Sequence, residues 1–170
     1  MSQADSPVSK IKTLDELTAL RAAWFEKGKT VVWTNGCFDL LHVGHIRNFR
    51  DAKALGDILI VGINSDASVR ALKGDSRAIV NQTDRAEMIE ALEMVDYVTI
   101  FDESTPVAAL SRIRPDIHCK GDDYANGARP MPERDVVLSY GGQIRFLPFH
   151  PGRSTTELIK RIAKAAVTPA

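Results

Sequence analysis

The chain has 170 residues, and its 22 Lys and Arg residues are balanced by 22 Asp and Glu residues. With 44 % hydrophobic residues, this length suits one globular domain of about 150 residues. A chain without net charge or a basic run is a poor candidate for nucleic-acid binding. No apolar stretch approaches the ~20 residues of a membrane span, and residues 1–10 lack the apolar core of a signal peptide. Cys37 and Cys119 are too few for a disulfide framework. We therefore expect a cytoplasmic protein that binds neither nucleic acid nor membrane.

Capping signals and apolar spacing predict the first element of the chain. Residues 1–12 are small and polar and are predicted to form a flexible tail. Thr13 and Glu16 have the spacing of a capping box, and apolar residues at helical spacing follow. The pattern predicts an N-terminal helix over 13–28, before a core domain over 30–165.

Short apolar runs then alternate with helical patterns. The predicted strands are 31–33, 58–61, 97–101, 116–119 and 143–147. The predicted helices are 46–56, 66–72, 83–92, 105–115, 132–140 and 154–162, with Thr83, Thr105 and Ser154 as caps. The runs without alternation are typical of strands covered on both faces, so the pattern predicts an open, mostly parallel α/β sheet. Ligands of such sheets bind beyond the carboxyl ends of the strands.

The segment after the first strand combines glycines with two histidines. It reads Thr34-Asn35-Gly36-Cys37-Phe38-Asp39-Leu40-Leu41-His42-Val43-Gly44-His45. On a helix, His42 and His45 project from one face, and Gly44 allows a bulky group to approach the backbone. Because a helix start also offers free N–H groups, this segment suits a polyphosphate whose charge builds during a reaction.

The two histidines have other interpretations. They could be ligands of a tetrahedral zinc ion, although no third ligand is obvious because Cys37 lies five residues before His42. They could also be surface or capping residues without chemistry. The chain contains neither G-x-G-x-x-G nor G-x-x-x-x-G-K-[ST], which argues against a nicotinamide dehydrogenase and a P-loop enzyme.

Several motifs, in order along residues 30–165, resemble those of the H-x-G-H nucleotidyltransferases, the cytidylyltransferase-like family. The first is T-N-G-C-F-D followed by H-V-G-H, described above. The others are Asn64-Ser65-Asp66, Leu72-Lys73-Gly74, Arg77, Asp84-Arg85, Lys120-Gly121-Asp122-Asp123-Tyr124 and residues 147–156. Within the family, the set is most similar to the stand-alone D-glycero-β-D-manno-heptose 1-phosphate adenylyltransferases.

This resemblance implies a Rossmann-like, three-layer αβα fold with a five-stranded, mostly parallel sheet. It implies transfer of AMP from ATP to heptose 1-phosphate for lipopolysaccharide core biosynthesis, with His42, His45 and Lys73 as catalytic residues. The implied nucleotide-binding residues are Asn35, Gly36, Cys37, Phe38, Gly44, Lys120, Gly121, Asp122, Asp123, Arg153, Ser154 and Thr155. The implied sugar-phosphate ligands are Asp39, Arg77 and Arg85. Mg²⁺ would be bound by the phosphates of ATP rather than by the protein, and the chain would form a homo-oligomer, a dimer.

Because the sequence departs from the family pattern at some positions, both ATP and CTP remain candidates for the nucleotide substrate. Asp122 stands where the family often has a second glycine, as it does in glycerol 3-phosphate cytidylyltransferases, and Ala78 replaces a proline after Arg77. Phe149 and Arg153 stand at positions that differ from those cytidylyltransferases and favour ATP. The alternatives are a cytidylyltransferase for glycerol 3-phosphate or a similar small phosphate, and a non-catalytic nucleotide-binding module.

Ordinary structural roles are available for some of these residues. Lys73 could be a solvated surface lysine, and Arg85 could pair with Asp84 or Glu87 at a helix start. Asp39 could order its own loop in an Asx turn.

The length of the chain leaves no room for the sugar kinase to which this activity is fused in many bacteria. We therefore expect a stand-alone transferase.

Overall fold

Five parallel strands form one sheet in the computed structural model. The structure describes residues 9–125, 127, 129–148 and 150–167, and of Val167 it describes the backbone alone. Residues 1–8 of the predicted tail and Phe149 lie outside this part. The strands are β1 (Val31–Gly36), β2 (Ile58–Asn64), β3 (Tyr97–Phe101), β4 (Ile117–Gly121) and β5 (Gln143–Leu147). Their order is β3-β2-β1-β4-β5, and every neighbouring pair is parallel. The predicted five-stranded sheet is confirmed, with β1 and β2 each three residues longer than the apolar runs suggested.

Helices precede, connect and follow the strands in the described part of the chain. They are α1 (Leu14–Glu26), α2 (Val43–Lys53), α3 (Asp66–Lys73), α4 (Gln82–Glu90), α5 (Val107–Ile113), α6 (Arg134–Ser139) and α7 (Thr155–Val167). A single 3₁₀ turn, Asp122–Tyr124, follows β4. Among these helices, none combines the length and the apolar character that crossing a membrane requires.

The predicted helix caps are partly right. At α1, Thr13 and Glu16 form the predicted capping box, with the Glu16 N–H donating to Thr13 Oγ1 and the Thr13 N–H donating to Glu16 Oε2. At α4 the cap is Asn81, which accepts from the Asp84 N–H, and the prediction of Thr83 is wrong. Thr105 does not cap α5 either, because that helix begins after Pro106 without a side-chain cap.

The sheet is covered on both faces, which makes the three-layer αβα arrangement that was predicted. On one face, α2 and α4 bury Phe49 and Ala86 against the strands. On the other face, α1, α5 and α6 pack around Trp33, with Leu17 and Leu110 fully buried there. The apolar runs of the strands are therefore buried on both sides, as parallel sheets require.

The segment before α1 is ordered where it is described. The Lys12 N–H donates to the Val98 carbonyl at 2.8 Å, and the Val98 N–H donates to the Lys10 carbonyl at 3.0 Å. Ile11 forms a parallel bridge with Val98. The prediction of a flexible tail is wrong for these residues, because they satisfy the open backbone groups of β3 at the sheet edge.

The strand order changes direction between β1 and β4. From β1 the chain adds β2 and β3 on one side and then returns to place β4 and β5 on the other. Thr34 in β1 is therefore the register partner of both Val61 and Cys119. At such a switch point the loops after the two central strands part and leave a crevice.

Candidate active site

A cleft of about 630 Å³ opens at the carboxyl edge of the sheet, over β1 and β4. The predicted site residues that line it are Asn35, Gly36, Cys37, Phe38, Asp39, His45, Lys73, Arg77, Lys120, Gly121 and Thr155. They come from the ends of β1, α3 and β4, from the segments that follow β1 and α3, and from the starts of α2 and α7. The cleft thus brings together residues up to 120 positions apart, at the place where the strand order predicts a ligand.

His42 and His45 lie at the start of α2 with their rings stacked. Their ring centroids are 3.7 Å apart, and His45 also meets the ring of Phe38 edge-on at 5.1 Å. His42 occupies the N-cap position, but its side chain makes no capping hydrogen bond. In the described part of the chain, the Nδ1 atoms of both histidines are buried without a hydrogen-bond partner. A capping role is therefore not realised, and both rings have an unused polar atom.

Burial keeps both rings neutral at pH 7. It lowers the pKa of His42, and together with the neighbouring His42 it lowers the pKa of His45 to about 3. A neutral imidazole has one N–H donor and one acceptor nitrogen. The described residues contain no group of three His, Cys, Asp or Glu side chains placed to hold a metal ion.

The low pKa of His45 predicts a pH-dependent stability. An unfolded histidine takes up a proton below about pH 6.5, whereas folded His45 remains neutral down to about pH 3. The unfolded state is therefore stabilised as the pH falls through this window, so the free energy of unfolding decreases. We expect denaturant titrations at pH 7 and pH 4.5 to show a smaller loss in H45Q than in the wild type. An equal loss in both proteins would contradict the neutral state of His45.

Gly44 brings the start of α7 against the start of α2. A Cβ atom at Gly44 would lie 2.9 Å from His42 Nδ1 and 3.2 Å from Arg153 Cβ. Ser154 accepts a hydrogen bond from the Glu157 N–H and so caps α7, as predicted. Gly44, His42, Arg153 and Ser154 do not line the cleft, whereas their chain neighbours His45 and Thr155 do. Two helix starts consequently face the same region, an arrangement that favours anions.

Asp39 and Arg77 form a buried ion pair at the cleft wall. Arg77 Nε donates to Asp39 Oδ2 at 2.9 Å, and the Val80 N–H donates to Asp39 Oδ1 at 3.1 Å. The Asp39 side chain is only 1 % exposed. The carboxylate therefore ties the segment after α3 to the loop after β1, and in this state Arg77 already has an anionic partner.

The structure does not bring Arg85 to the cleft. Its side chain is fully buried, and its Nη2 pairs with Asp66 at 2.7 Å. Its Nε donates to the Val80 carbonyl, and its Nη1 donates to the Cys37 carbonyl. The predicted pairing with Asp84 or Glu87 is not formed, and the predicted contact with a sugar phosphate conflicts with this burial. Arg85 instead holds the loop after β1 to the start of α3.

The end of β4 contributes Lys120 and Gly121 to the cleft but not the two acidic residues after them. Asp122 and Asp123 lie in the 3₁₀ turn, are exposed and do not line the cleft. Asp123 pairs with Arg129 at 3.0 Å, and a Cβ atom at Gly121 would lie 2.6 Å from Asp123 Oδ1. In this state, the two carboxylates shape the turn rather than the cleft surface.

Sequence reasoning missed several residues of the cleft. Asn48, one turn after His45, lines it with a buried Oδ1 that has no partner among the described residues. Glu133 forms part of the wall around Lys120, beside Tyr124 of the motif that the sequence analysis named. The helical spacing from His45 could have pointed to Asn48, whereas no local pattern marks Glu133.

Comparison with known proteins agrees with the fold and the motifs. A profile of the cytidylyltransferase-like family matches residues 33–161. The bifunctional protein HldE of Geobacter sulfurreducens is 47 % identical over 157 residues, which are 92 % of this chain and 32 % of that protein. The HldE protein of Citrifermentans bemidjiense is 48 % identical over 91 % of this chain and 31 % of its own length. The chain therefore spans about a third of the curated relatives it matches.

Two solved structures resemble the fold of this chain at lower sequence identity. The lipopolysaccharide core biosynthesis protein of Thermoplasma volcanium is 26 % identical with a TM-score of 0.58, covering 72 % of this chain and 98 % of that one. A pantoate-β-alanine ligase from Francisella tularensis, at 16 % identity and a TM-score of 0.64, shares the fold over 90 % of this chain and 73 % of its own.

The sheet order, the helical layers and the cleft at the switch point define a Rossmann-like α/β protein. The chain belongs to the cytidylyltransferase-like family, and with this membership it is an enzyme of the nucleotidyltransferase class. The resemblance to this family that was inferred from the motifs is thereby confirmed.

Proposed function

We propose that the chain transfers AMP from ATP to D-glycero-β-D-manno-heptose 1-phosphate, forming ADP-heptose and pyrophosphate for lipopolysaccharide core biosynthesis. The observation that carries this proposal is the match to HldE proteins, at 47 to 48 % identity, over nine-tenths of the chain. The similar Thermoplasma protein, named for lipopolysaccharide core biosynthesis, supports the same pathway. The proposed site of reaction is the cleft over β1 and β4, within a core domain of residues 30–165.

In the proposed reaction, an oxygen of the sugar phosphate attacks the α-phosphorus of ATP. A new P–O bond forms, the bond to the β-phosphate breaks, and pyrophosphate leaves. A phosphate monoester is already an anion near neutral pH, so the nucleophile needs no strong base. Catalysis then consists of holding the two phosphates in line and stabilising the charge that develops.

The histidine pair is proposed to supply that stabilisation. His42 and His45 are neutral, partly buried and next to a helix start, and each has one N–H to donate to phosphate oxygens. Lys73, at the end of α3, brings a cation to the cleft. Gly36, in the segment from Asn35 to Phe38, allows the phosphates to approach the backbone.

The remaining predicted residues are proposed to bind the two substrates. Arg153, Ser154 and Thr155 at the start of α7 would receive the β- and γ-phosphates. Lys120 and Gly121 would face the nucleotide, and Arg77 would exchange Asp39 for the sugar phosphate. Mg²⁺ would enter with ATP, bound by phosphate oxygens and water. We further propose that the protein acts in the cytoplasm as a homodimer, which sedimentation velocity can test.

A pyrophosphate-release assay tests the proposed function. Four reactions combine ATP or CTP with heptose 1-phosphate or glycerol 3-phosphate, and we expect release with ATP and heptose 1-phosphate. Release with CTP alone would support the cytidylyltransferase alternative, which Asp122 favours. No release in any reaction would support a non-catalytic nucleotide-binding module.

A further inference from the structure

Three ionisable side chains lie in contact with one another, from the core to the wall of the cleft. His118 lies in β4 and is fully buried, while Lys120 is two residues further along the strand, on the same face. Glu133, immediately before α6, lies between them with its side chain only 2 % exposed. Lys120 and Glu133 both line the cleft, on the opposite side of the sheet from α2.

Both His118 and Lys120 contact one carboxylate oxygen of Glu133. Lys120 Nζ lies 2.7 Å from Glu133 Oε1, and His118 Nε2 lies 3.4 Å from the same oxygen. Lys120 Nζ is also 4.5 Å from the centre of the Tyr124 ring, a cation–π distance. The lysine head group is thus fixed on two sides, and its 11 % exposed side chain borders the cleft.

Glu133 is charged in this setting. Burial alone would raise the pKa of Glu133, but the hydrogen bonds from His118 and Lys120 and the Lys120 charge lower it to about 2. Burial lowers the pKa of His118, which therefore acts as a neutral hydrogen-bonding partner. A flexible lysine would otherwise lose side-chain entropy when it meets a ligand, and a fixed carboxylate removes part of that cost before binding.

We propose that Glu133 is a positioning residue, which holds the Lys120 ammonium in the cleft so that it meets the phosphates or ribose of the nucleotide without rearrangement. The inference rests on the proposed function in one respect, the assignment of the nucleotide to this cleft. Lysine has three N–H donors, and Glu133 and the Tyr124 ring leave at least one of them for a ligand. Glu133 acts through Lys120 and does not itself touch the substrate.

A double-mutant cycle tests this proposal. ATP affinity by calorimetry in the presence of Mg²⁺, KM for ATP, kcat and the melting temperature are measured for E133Q, K120M and the double variant. K120M is expected to weaken ATP binding roughly 10- to 100-fold. E133Q is expected to weaken ATP binding and raise its KM about 10-fold, with kcat changed less than about 3-fold. The double variant should bind ATP as weakly as K120M, because Glu133 has no effect without its lysine.

The matched control is K29M, which breaks an exposed ion pair with Asp57 at the opposite edge of the sheet and should leave ATP affinity unchanged. ATP binding by E133Q that equals or exceeds that of the wild type would overturn the proposal, and so would additive losses in the double variant. If K120M does not fold, the ATP affinity of E133Q is compared with that of K29M at equal melting temperature, and this comparison still tests the proposal. A wild type that binds ATP but does not convert heptose 1-phosphate would refute the proposed substrate. The ATP affinities of the double-mutant cycle would still test the role of Glu133. A wild type that does not bind ATP would contradict both.

Discussion

Replacing His45 with alanine is expected to lower kcat about 10²- to 10³-fold, the usual loss when one donor to a developing charge is removed. The affinity for ATP should change far less, because the main interaction of this N–H forms in the transition state. The neutral ring, the unpartnered Nδ1 and the position at the start of α2 are the observations behind this expectation. Single-turnover rates and calorimetric ATP affinity on the same preparation measure the two effects.

The stacked partner provides the comparison for H45A. Removing His42 also exposes the face of the His45 ring, so H42A should affect both the rate and the pH dependence of stability. K29M again serves as a control that leaves both unchanged. If H45A loses ATP affinity as far as it loses turnover, His45 is a ground-state binding residue and its proposed catalytic role is wrong.

Replacing Arg85 with methionine is expected to destabilise the fold by about 3 kcal/mol, because the change leaves polar partners in the interior without a donor. The partners are the Asp66 carboxylate and the carbonyls of Cys37 and Val80. The loop after β1 would lose one of its attachments, so activity should fall together with stability. Urea titrations give the free energy of unfolding for the comparison.

The control for R85M is R112M, which removes an exposed arginine paired with Asp15 on the surface. Exposed pairs contribute about 0 to 1 kcal/mol, so R112M should be close to the wild type. An R85M protein of unchanged stability but raised KM for the sugar phosphate would restore the original interpretation of Arg85 as a substrate ligand.

The sequence predicts the sheet well because the relevant signals are local. Apolar runs without alternation mark strands that are buried on both faces, and β3 and β5 were predicted to the residue. The histidine pair could be found because its three-residue spacing and its place after a strand belong to one short segment. The caps of α4 and α5 were harder to predict. Asn81 and Thr83 are both good capping residues, and tertiary contacts such as the Asp66 N–H donating to Gln82 Oε1 accompany the observed start of α4.

The residues that sequence reasoning misplaced are those with distant partners. Arg85 was assigned neighbours within its own helix, yet its Nη1 partner, Cys37, lies 48 positions away. Glu133 has no local motif, and its role becomes visible only when β4 places Lys120 beside it. Long polar side chains can reach partners from any element that packs nearby, and a pattern along one segment contains no information about them.

The central claim is that this chain joins a sugar phosphate oxygen to the α-phosphorus of ATP. ³¹P NMR of a reaction with heptose 1-phosphate carrying ¹⁸O in its phosphate group tests it most directly. The proposed chemistry predicts a diphosphate product in which ¹⁸O bridges the two phosphorus atoms, with unlabelled pyrophosphate released. Label in the released pyrophosphate, or formation of ADP and a doubly phosphorylated sugar, would contradict adenylyl transfer.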